Sequence, residues 1–333
     1  MPIWRPRKET TLLARILRWA AFGLSAAVAL ASMAFRRDMQ RAVQRVREKG
    51  AVIPSPYGDI EYTEGGAGPD VLVIHGAGGG YDQGELIAQA VLDEEFHRIT
   101  PSRFGYLRST LRAGATWEDQ AHAYAHLLDH LGVEMVAVIA MSQGGPSALL
   151  FALLHPERVS SLTLISAGVA PLKTQEQAQA NQKGKMLKAI FQHDLLYWAI
   201  TKLFRRQLLG LIGVDEAVAD TLTPGQRQWV DRFVEYMNPV SLRSAGAGFD
   251  NEAMQPGDRI AAIEAPTLII HATDDTLQLY QHAQFAASTI PGARLACFER
   301  GGHVLAAVEQ STIRAAVKEH ILSSAKEMPS SRA

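Results

Sequence analysis

The chain has 333 residues, is 47% hydrophobic and 20% charged, and carries 33 basic against 34 acidic side chains for a formal net charge of −1. This is ordinary globular composition, which excludes disorder over the bulk of the chain. The near-neutral total hides an asymmetry: residues 1–49 hold eleven basic and three acidic side chains, or +8, and the remainder is −9, the wrong sign for a nucleic-acid-binding main domain.

The basic end contains an uncharged run of seventeen residues, Trp19 to Phe35, extended backward by Leu12, Leu13, Ile16 and Leu17. That is the short end of what spans a bilayer. Arg15 and Arg18 interrupt the extension, but long basic stems reach headgroups from near a helix end. A single N-terminal membrane anchor is the leading expectation. A cleaved signal peptide, with small residues at Ala29 and Ala31, and a buried or peripheral helix stand beside it. Basic residues flank the run on both sides (Arg5, Arg7 and Lys8 before it, Arg36, Arg37 and Arg41 after it), so charge sets no orientation. Residues 36–49 read as a basic helix, either lying on anionic headgroups or solvated as a linker.

The texture changes after Gly50. Short strands are expected at Ala51–Ile53 and Ile60–Thr63, around a turn with Pro54, Pro56 and Gly58. Val71–Ile74 is a continuous apolar run, as in a strand buried on both faces, and it leads into His75-Gly76-Ala77-Gly78-Gly79-Gly80. Similar runs recur at Met135–Ala140, Leu162–Ser166, Thr267–His271 and Arg294–Phe298. Helical patterns lie between them. One spans Trp117–Leu131, behind a Thr116 cap and with Glu118 and Asp119 in its first turn; another spans Ser142–His155 and stops before Pro156. Strands alternating with helices predict an α/β fold, a mostly parallel sheet with helices on both faces. Residues of roughly 170–258 interrupt the alternation with helical, aromatic-rich sequence. They form an expected insertion over the carboxyl edge of the sheet, where ligands bind in open α/β folds. The expected organisation is a membrane or signal-anchor segment over 1–50 and one domain over 51–333.

Ala140-Met141-Ser142-Gln143-Gly144-Gly145 ends a strand and opens a helix. A nucleophile in so tight a turn needs small residues two before and two after it, and Ala140 and Gly144 meet that need. The turn presents the Ser142 hydroxyl above the sheet and leaves the Gln143 N–H at a helix N-terminus, able to donate to an oxyanion. A serine hydroxyl needs a base, and the base an orienting acid. His303, after Gly301-Gly302 and the last strand, is the candidate base. Asp274 and Asp275, just beyond Thr267–His271, are the candidate acids. Ala77, in the glycine-rich loop, is the candidate second oxyanion donor. No cofactor is expected: no Gly-Lys-Ser/Thr follows Gly76–Gly80, so a nucleotide site is disfavoured. No metal is expected either. His122, His126 and His130 read as a helix face without carboxylates at ligand spacing, and the one cysteine, Cys297, excludes an intrachain disulfide or a Cys-based zinc site. Cys297 reads as a buried strand residue, and His75 and His271 as structural histidines at strand ends.

Taken together, His75-Gly76, the loop Ser102 to Ser109, the elbow at Ser142, His155-Pro156-Glu157-Arg158-Val159, Pro266 to Asp275 and Gly302-His303 occur in one order along about Ala51 to Leu322. In that order they resemble an α/β-hydrolase-fold serine hydrolase of the epoxide-hydrolase/esterase-like superfamily. The resemblance implies the triad Ser142, Asp275 and His303. Ala272 stands where the family usually has a glycine three residues before the acid, which selects Asp275 over Asp274. It also implies a cap domain at 170–258. A serine nucleophile argues against the carboxylate-based epoxide hydrolases and dehalogenases. The implied activity is hydrolysis of a small-molecule ester or thioester with an apolar part. C–C bond hydrolysis of a dienol-type diketone and a non-catalytic ligand-binding role are the alternatives.

Overall fold

A computed structural model describes residues 12–214, 216–250 and 256–327. Arg5, Arg7, Lys8 and the end of the C-terminal tail lie outside them. The chain opens with helix α1 (Leu12–Glu48), then strands β1 (Ala51–Ile53), β2 (Ile60–Gly65) and β3 (Asp70–Ile74). Helix α2 (Tyr81–Val91), strand β4 (His97–Pro101), helix α3 (Trp117–Leu131), strand β5 (Val136–Met141), helix α4 (Gly145–Leu154) and strand β6 (Val159–Ile165) follow. Six helices come next: α5 (Gln175–Ile190), α6 (Asp194–Leu203), α7 (Arg205–Leu211), α8 (Glu216–Thr221), α9 (Pro224–Glu235) and α10 (Ser244–Asp250). The chain then returns through β7 (Thr267–Ala272), α11 (Tyr280–Thr289), β8 (Arg294–Phe298), α12 (Leu305–Val308) and α13 (Gln310–Glu327).

The eight strands form one sheet in the order β1-β2-β4-β3-β5-β6-β7-β8. β1 and β2 run antiparallel at one edge, and the six from β4 to β8 are parallel. Strand periodicity feeds two cores. Val71 and Val73 of β3 belong to one, with α2, α12 and α13; Leu72 and Ile74 belong to the other, with α3, α4 and α11. Each such fully buried Val, Leu or Ile contributes roughly 1.5–3 kcal/mol. β4 is a strand that the apolar pattern does not announce, because His97 and Arg98 occupy its first half and only Ile99 and Thr100 are buried in mid-strand. Helix α3 has the expected Thr116 cap. Its hydroxyl accepts from the Asp119 N–H at 3.0 Å, and its own N–H donates to the Asp119 carboxylate at 2.8 Å, a capping box.

Cys297 differs from expectation. It is exposed, on the edge strand β8, where no residue of the strand is fully buried. The helices α5 to α9 lie over the carboxyl edge of the parallel strands and share their apolar core with α2, α12 and α13 through Leu187, Tyr197, Leu208, Val230 and Phe233.

Helix α1 is long and apolar enough to cross a membrane, with a mean hydropathy of 1.6 over its best window and none of that window buried. Residues 15–33 are exposed throughout. The basic half packs one face on the rest of the chain and leaves Arg36, Arg37, Arg41 and Arg47 exposed. Ala42 and Val46 are buried, and the Phe35 ring meets Trp198 of α6 edge-on at 5.5 Å. Arg45 donates to the Asn238 carbonyl at 2.6 Å.

Candidate active site

Ser142 follows β5 with φ +56°, a left-handed backbone that a side chain adopts at a cost of about 1–3 kcal/mol. Its neighbours hold it there. A Cβ on Gly144 would meet the Ile74 carbonyl oxygen at 2.7 Å and that of His75 at 2.8 Å, so the turn closes only over glycine. The Gly168 N–H donates to the Ser142 carbonyl at 3.3 Å.

His303 sits after Gly301 (φ +134°) and Gly302 (φ +52°). The carboxylate of Asp274 accepts from both of these amides, at 3.2 and 2.8 Å. The two adjacent aspartates therefore separate: Asp274 ties the turn, and Asp275 faces the imidazole. His303 Nδ1 lies 2.9 Å from Asp275 Oδ2, and Nε2 lies 2.9 Å from Ser142 Oγ. With Asp275 ionised, Nδ1–H donates to the carboxylate and Nε2 accepts from the hydroxyl. The other carboxylate oxygen, Oδ1, accepts from the Leu277 and Gln278 amides, both at 2.9 Å. The three side chains are buried, with residue exposures of 7% for Ser142, 3% for Asp275 and 4% for His303. Burial alone would raise the Asp275 carboxyl. The adjacent His303 and its hydrogen bond, His271 and the Gln278 amide outweigh that and hold it below its ordinary value.

Ser142 and His303 open into a cavity whose remaining wall is largely apolar: Met141, Leu187, Phe191, Ile212, Phe233 and Met237. Gly76, Ala77 and Gln143 line it beside the serine. Among the described residues, neither the Ala77 nor the Gln143 amide donates to another backbone carbonyl. A second, more polar chamber adjoins the first through Gln143, Gly184, Lys188 and Gln278, and adds Gln177, Asn181, Lys185 and His282. The turn between α7 and α8 reaches the base directly, since the His303 backbone N–H donates to the Gly213 carbonyl at 3.2 Å.

Two further histidines near the site, His75 and His271, are held by backbone groups. His75 Nδ1 donates to the Gly76 carbonyl at 2.7 Å, and Nε2 accepts from the Arg103 amide at 3.0 Å, which pins the glycine loop to the loop after β4. Burial and nearby Arg103 keep His75 neutral, well below its usual pKa. His271 Nε2 donates to the Gln278 carbonyl at 2.8 Å. His122 Nδ1 meets His155 Nε2 at 2.9 Å, and among the described residues no cluster of potential metal ligands forms.

Two buried ion pairs support the site without a sequence signal. Arg103 binds Asp250 bidentately at 2.6 and 2.7 Å, and Asp250 borders both chambers. Arg243 binds Asp82 at 3.0 and 2.8 Å and donates to the Gly79 carbonyl of the glycine loop, while Arg45 of α1 reaches the same Asp82 at 3.4 Å. The Arg103–Asp250 and Arg243–Asp82 partners stand 147 and 161 residues apart. No local pattern betrays such pairs.

The profile of a family described as the alpha/beta hydrolase fold matches residues 69–309. An uncharacterised hydrolase, YcgS, of Bacillus subtilis is 30% identical over 80% of this chain and 93% of its own length. The 2-hydroxy-6-oxo-6-phenylhexa-2,4-dienoate hydrolase of Comamonas testosteroni is 26% identical over 73% of this chain and 84% of its own. A bacterial membrane phospholipase A of known structure shares the fold with a TM-score of 0.64 and 20% identity, over 94% of this chain and 99% of its own. That share is too large to be met by the residues after Gly50 alone.

Proposed function

The chain belongs to the alpha/beta-hydrolase fold family, an enzyme family, and from that premise we propose that it is a serine hydrolase of an ester or thioester with an apolar acyl or alkyl part. The observation that carries this reading is the unbroken chain of hydrogen bonds from Ser142 Oγ through His303 to Asp275, opening on an apolar cavity. Ser142 Oγ attacks the acyl carbonyl as His303 Nε2 takes its proton. Asp275 holds the ring and stabilises the imidazolium. The amides of Gln143 and Ala77 receive the oxyanion. His303 then protonates the leaving alkoxide or thiolate, activates a water, and returns the proton to Ser142 as the acyl-enzyme is hydrolysed.

A fluorophosphonate probe tests the reading. Native protein is expected to be labelled and Ser142→Ala is not; labelling that survives the substitution would put the nucleophile elsewhere. An ester panel of graded chain length then reads the acyl preference, with longer apolar acyl groups favoured. The likeness to the Comamonas dienoate hydrolase favours a second reading, cleavage of a C–C bond beside a carbonyl in a dienol-type diketone. Turnover of such a chromophoric substrate with no ester turnover would select it.

Helix α1 supports a single N-terminal membrane anchor, with the catalytic domain held at the surface. Resistance to carbonate extraction and an intact N-terminus are the expected results. A mature chain starting near Ser32 would select export after cleavage instead.

A further inference from the structure

We propose that the cap carries a second membrane contact, formed by Leu195 and Leu196 of α6 and by Leu203 and Phe204 at the α6–α7 corner, which seats this corner in the bilayer interface beside α1. The proposal rests on the anchor reading of α1. These four side chains are 58, 45, 73 and 53% exposed. Single exposed apolar residues are normal on any surface, but four on one three-turn helix and its corner form a patch.

The position of the patch identifies the occupant. Trp198, on the same helix, packs against Phe35, the last residue of the uncharged run. The Trp198 indole N–H also donates to Asp38 at 3.1 Å, and Lys202 pairs with Asp38 at 3.3 Å. Helix α6 is therefore fastened at the level where α1 leaves the body. Seventeen helical residues rise about 25 Å, less than the ~30 Å of bilayer hydrocarbon. A run that short draws its flanking structure down to the interface, and the structure at that level is the leucine-rich face of α6. Trp198 then lies at the depth where tryptophans gather.

Charge fits the same occupant. Arg36, Arg37 and Arg41 follow the run on exposed positions, and Lys202 and Arg206 flank the cap corner. Among the described residues, Arg36 and Arg41 pair with no acidic side chain, so they remain available to anionic headgroups. The patch also touches the site at one remove: the Tyr197 ring of α6 packs edge-on at 5.5 Å against Phe191, which lines the apolar cavity.

The test uses the full chain in phosphatidylethanolamine/phosphatidylglycerol vesicles, with a bimane label at Leu203→Cys in a Cys297→Ser background. Glu134→Cys is the control: it is exposed and lies just before β5, at the amino ends of the parallel strands and so opposite the carboxyl ends that α5 to α9 cover. Doxyl-labelled lipid is expected to quench the label at position 203 several-fold more than the label at 134. Equal quenching at the two positions, with a label at Leu24→Cys of α1 quenched, overturns the proposal, whereas a label at position 24 that is not quenched either overturns the anchor reading on which it rests. A signal at 203 that follows protein density and ignores the quencher also overturns the proposal, and would assign the patch to a second copy of the chain.

The double variant Leu203→Asp/Phe204→Asp gives an independent readout. Hydrolysis of a long-chain ester embedded in the vesicles is expected to fall about ten-fold, with a short soluble p-nitrophenyl ester turned over as in wild type. Unchanged hydrolysis of the embedded ester overturns the proposal. If wild type fails on the soluble ester, the hydrolase reading has failed, and the quenching comparison still decides the membrane contact.

Discussion

Asp274 and Asp275 are neighbours of identical chemistry with different work. Asp274 accepts from two amides of the turn before His303, while Asp275 faces the imidazole. Asp275→Asn is expected to lower kcat by about 10³- to 10⁴-fold with the fold intact, because an amide leaves the histidine in the wrong tautomer. Asp274→Ala is expected to cost ~1–2 kcal/mol in denaturant unfolding through the freed amides, with a much smaller loss of kcat. A denaturant midpoint unchanged in Asp274→Ala would remove its structural role. The order Ser, Asp, His is legible along the chain because the elbow and the glycine turn need residues that no other structure there needs. The split between the aspartates is less so, since it depends on which carboxylate the last loop approaches. The resemblance, through the position of Ala272, separated them where residue spacing alone left both open.

At the scale of elements, apolar runs announce the strands buried on both faces and conceal β4, whose first half is His97 and Arg98. The apolar half of α1 is equally legible, but the seat of its basic half is not. Arg45 reads as one more charge in a basic segment, yet it joins Asp82, which also binds Arg243. Arg243 in turn holds the Gly79 carbonyl of the loop that contains Ala77. Removing one partner of a buried pair leaves the other charge uncompensated. Arg243→Ala is therefore expected to destabilise the protein by about 3–5 kcal/mol in urea. Arg45→Ala is expected to cost less, because its contact with Asp82 is longer and its side chain is 21% exposed. Equal losses in the two variants would contradict this ranking.

The molecule as a whole stores several neutral histidines. His282 Nδ1 accepts from the Val169 and Ala170 amides at 3.2 and 3.0 Å, and Nε2 donates to Gln177 of the cap at 3.0 Å. Burial, with His271 nearby, pushes its pKa down to about 4. His75 and His271 are lowered as well, chiefly by burial. Between about pH 4 and 6.5 the unfolded chain binds more protons than the folded one, so stability falls as the pH drops through that window. Protonating His282 alone removes roughly 3 kcal/mol. Asp275, also lowered, adds to the loss further down, as the pH falls through its folded pKa. Tm is expected to decline from pH 7 to pH 5, and to decline less in His282→Asn, even though that variant starts lower. A Tm flat over this range would refute the account.

The uninterrupted course of α1 from Leu12 to Glu48 has one more consequence. With a bilayer around its first half, the helix works as a mast without a hinge. On the proposed anchor the catalytic body keeps a set height as it drifts, and a substrate dissolved in the same bilayer would be searched for in two dimensions. For such a substrate the quantity that governs encounters is the areal density of molecules within reach of one plane, and dilution of the surrounding water leaves that density unchanged.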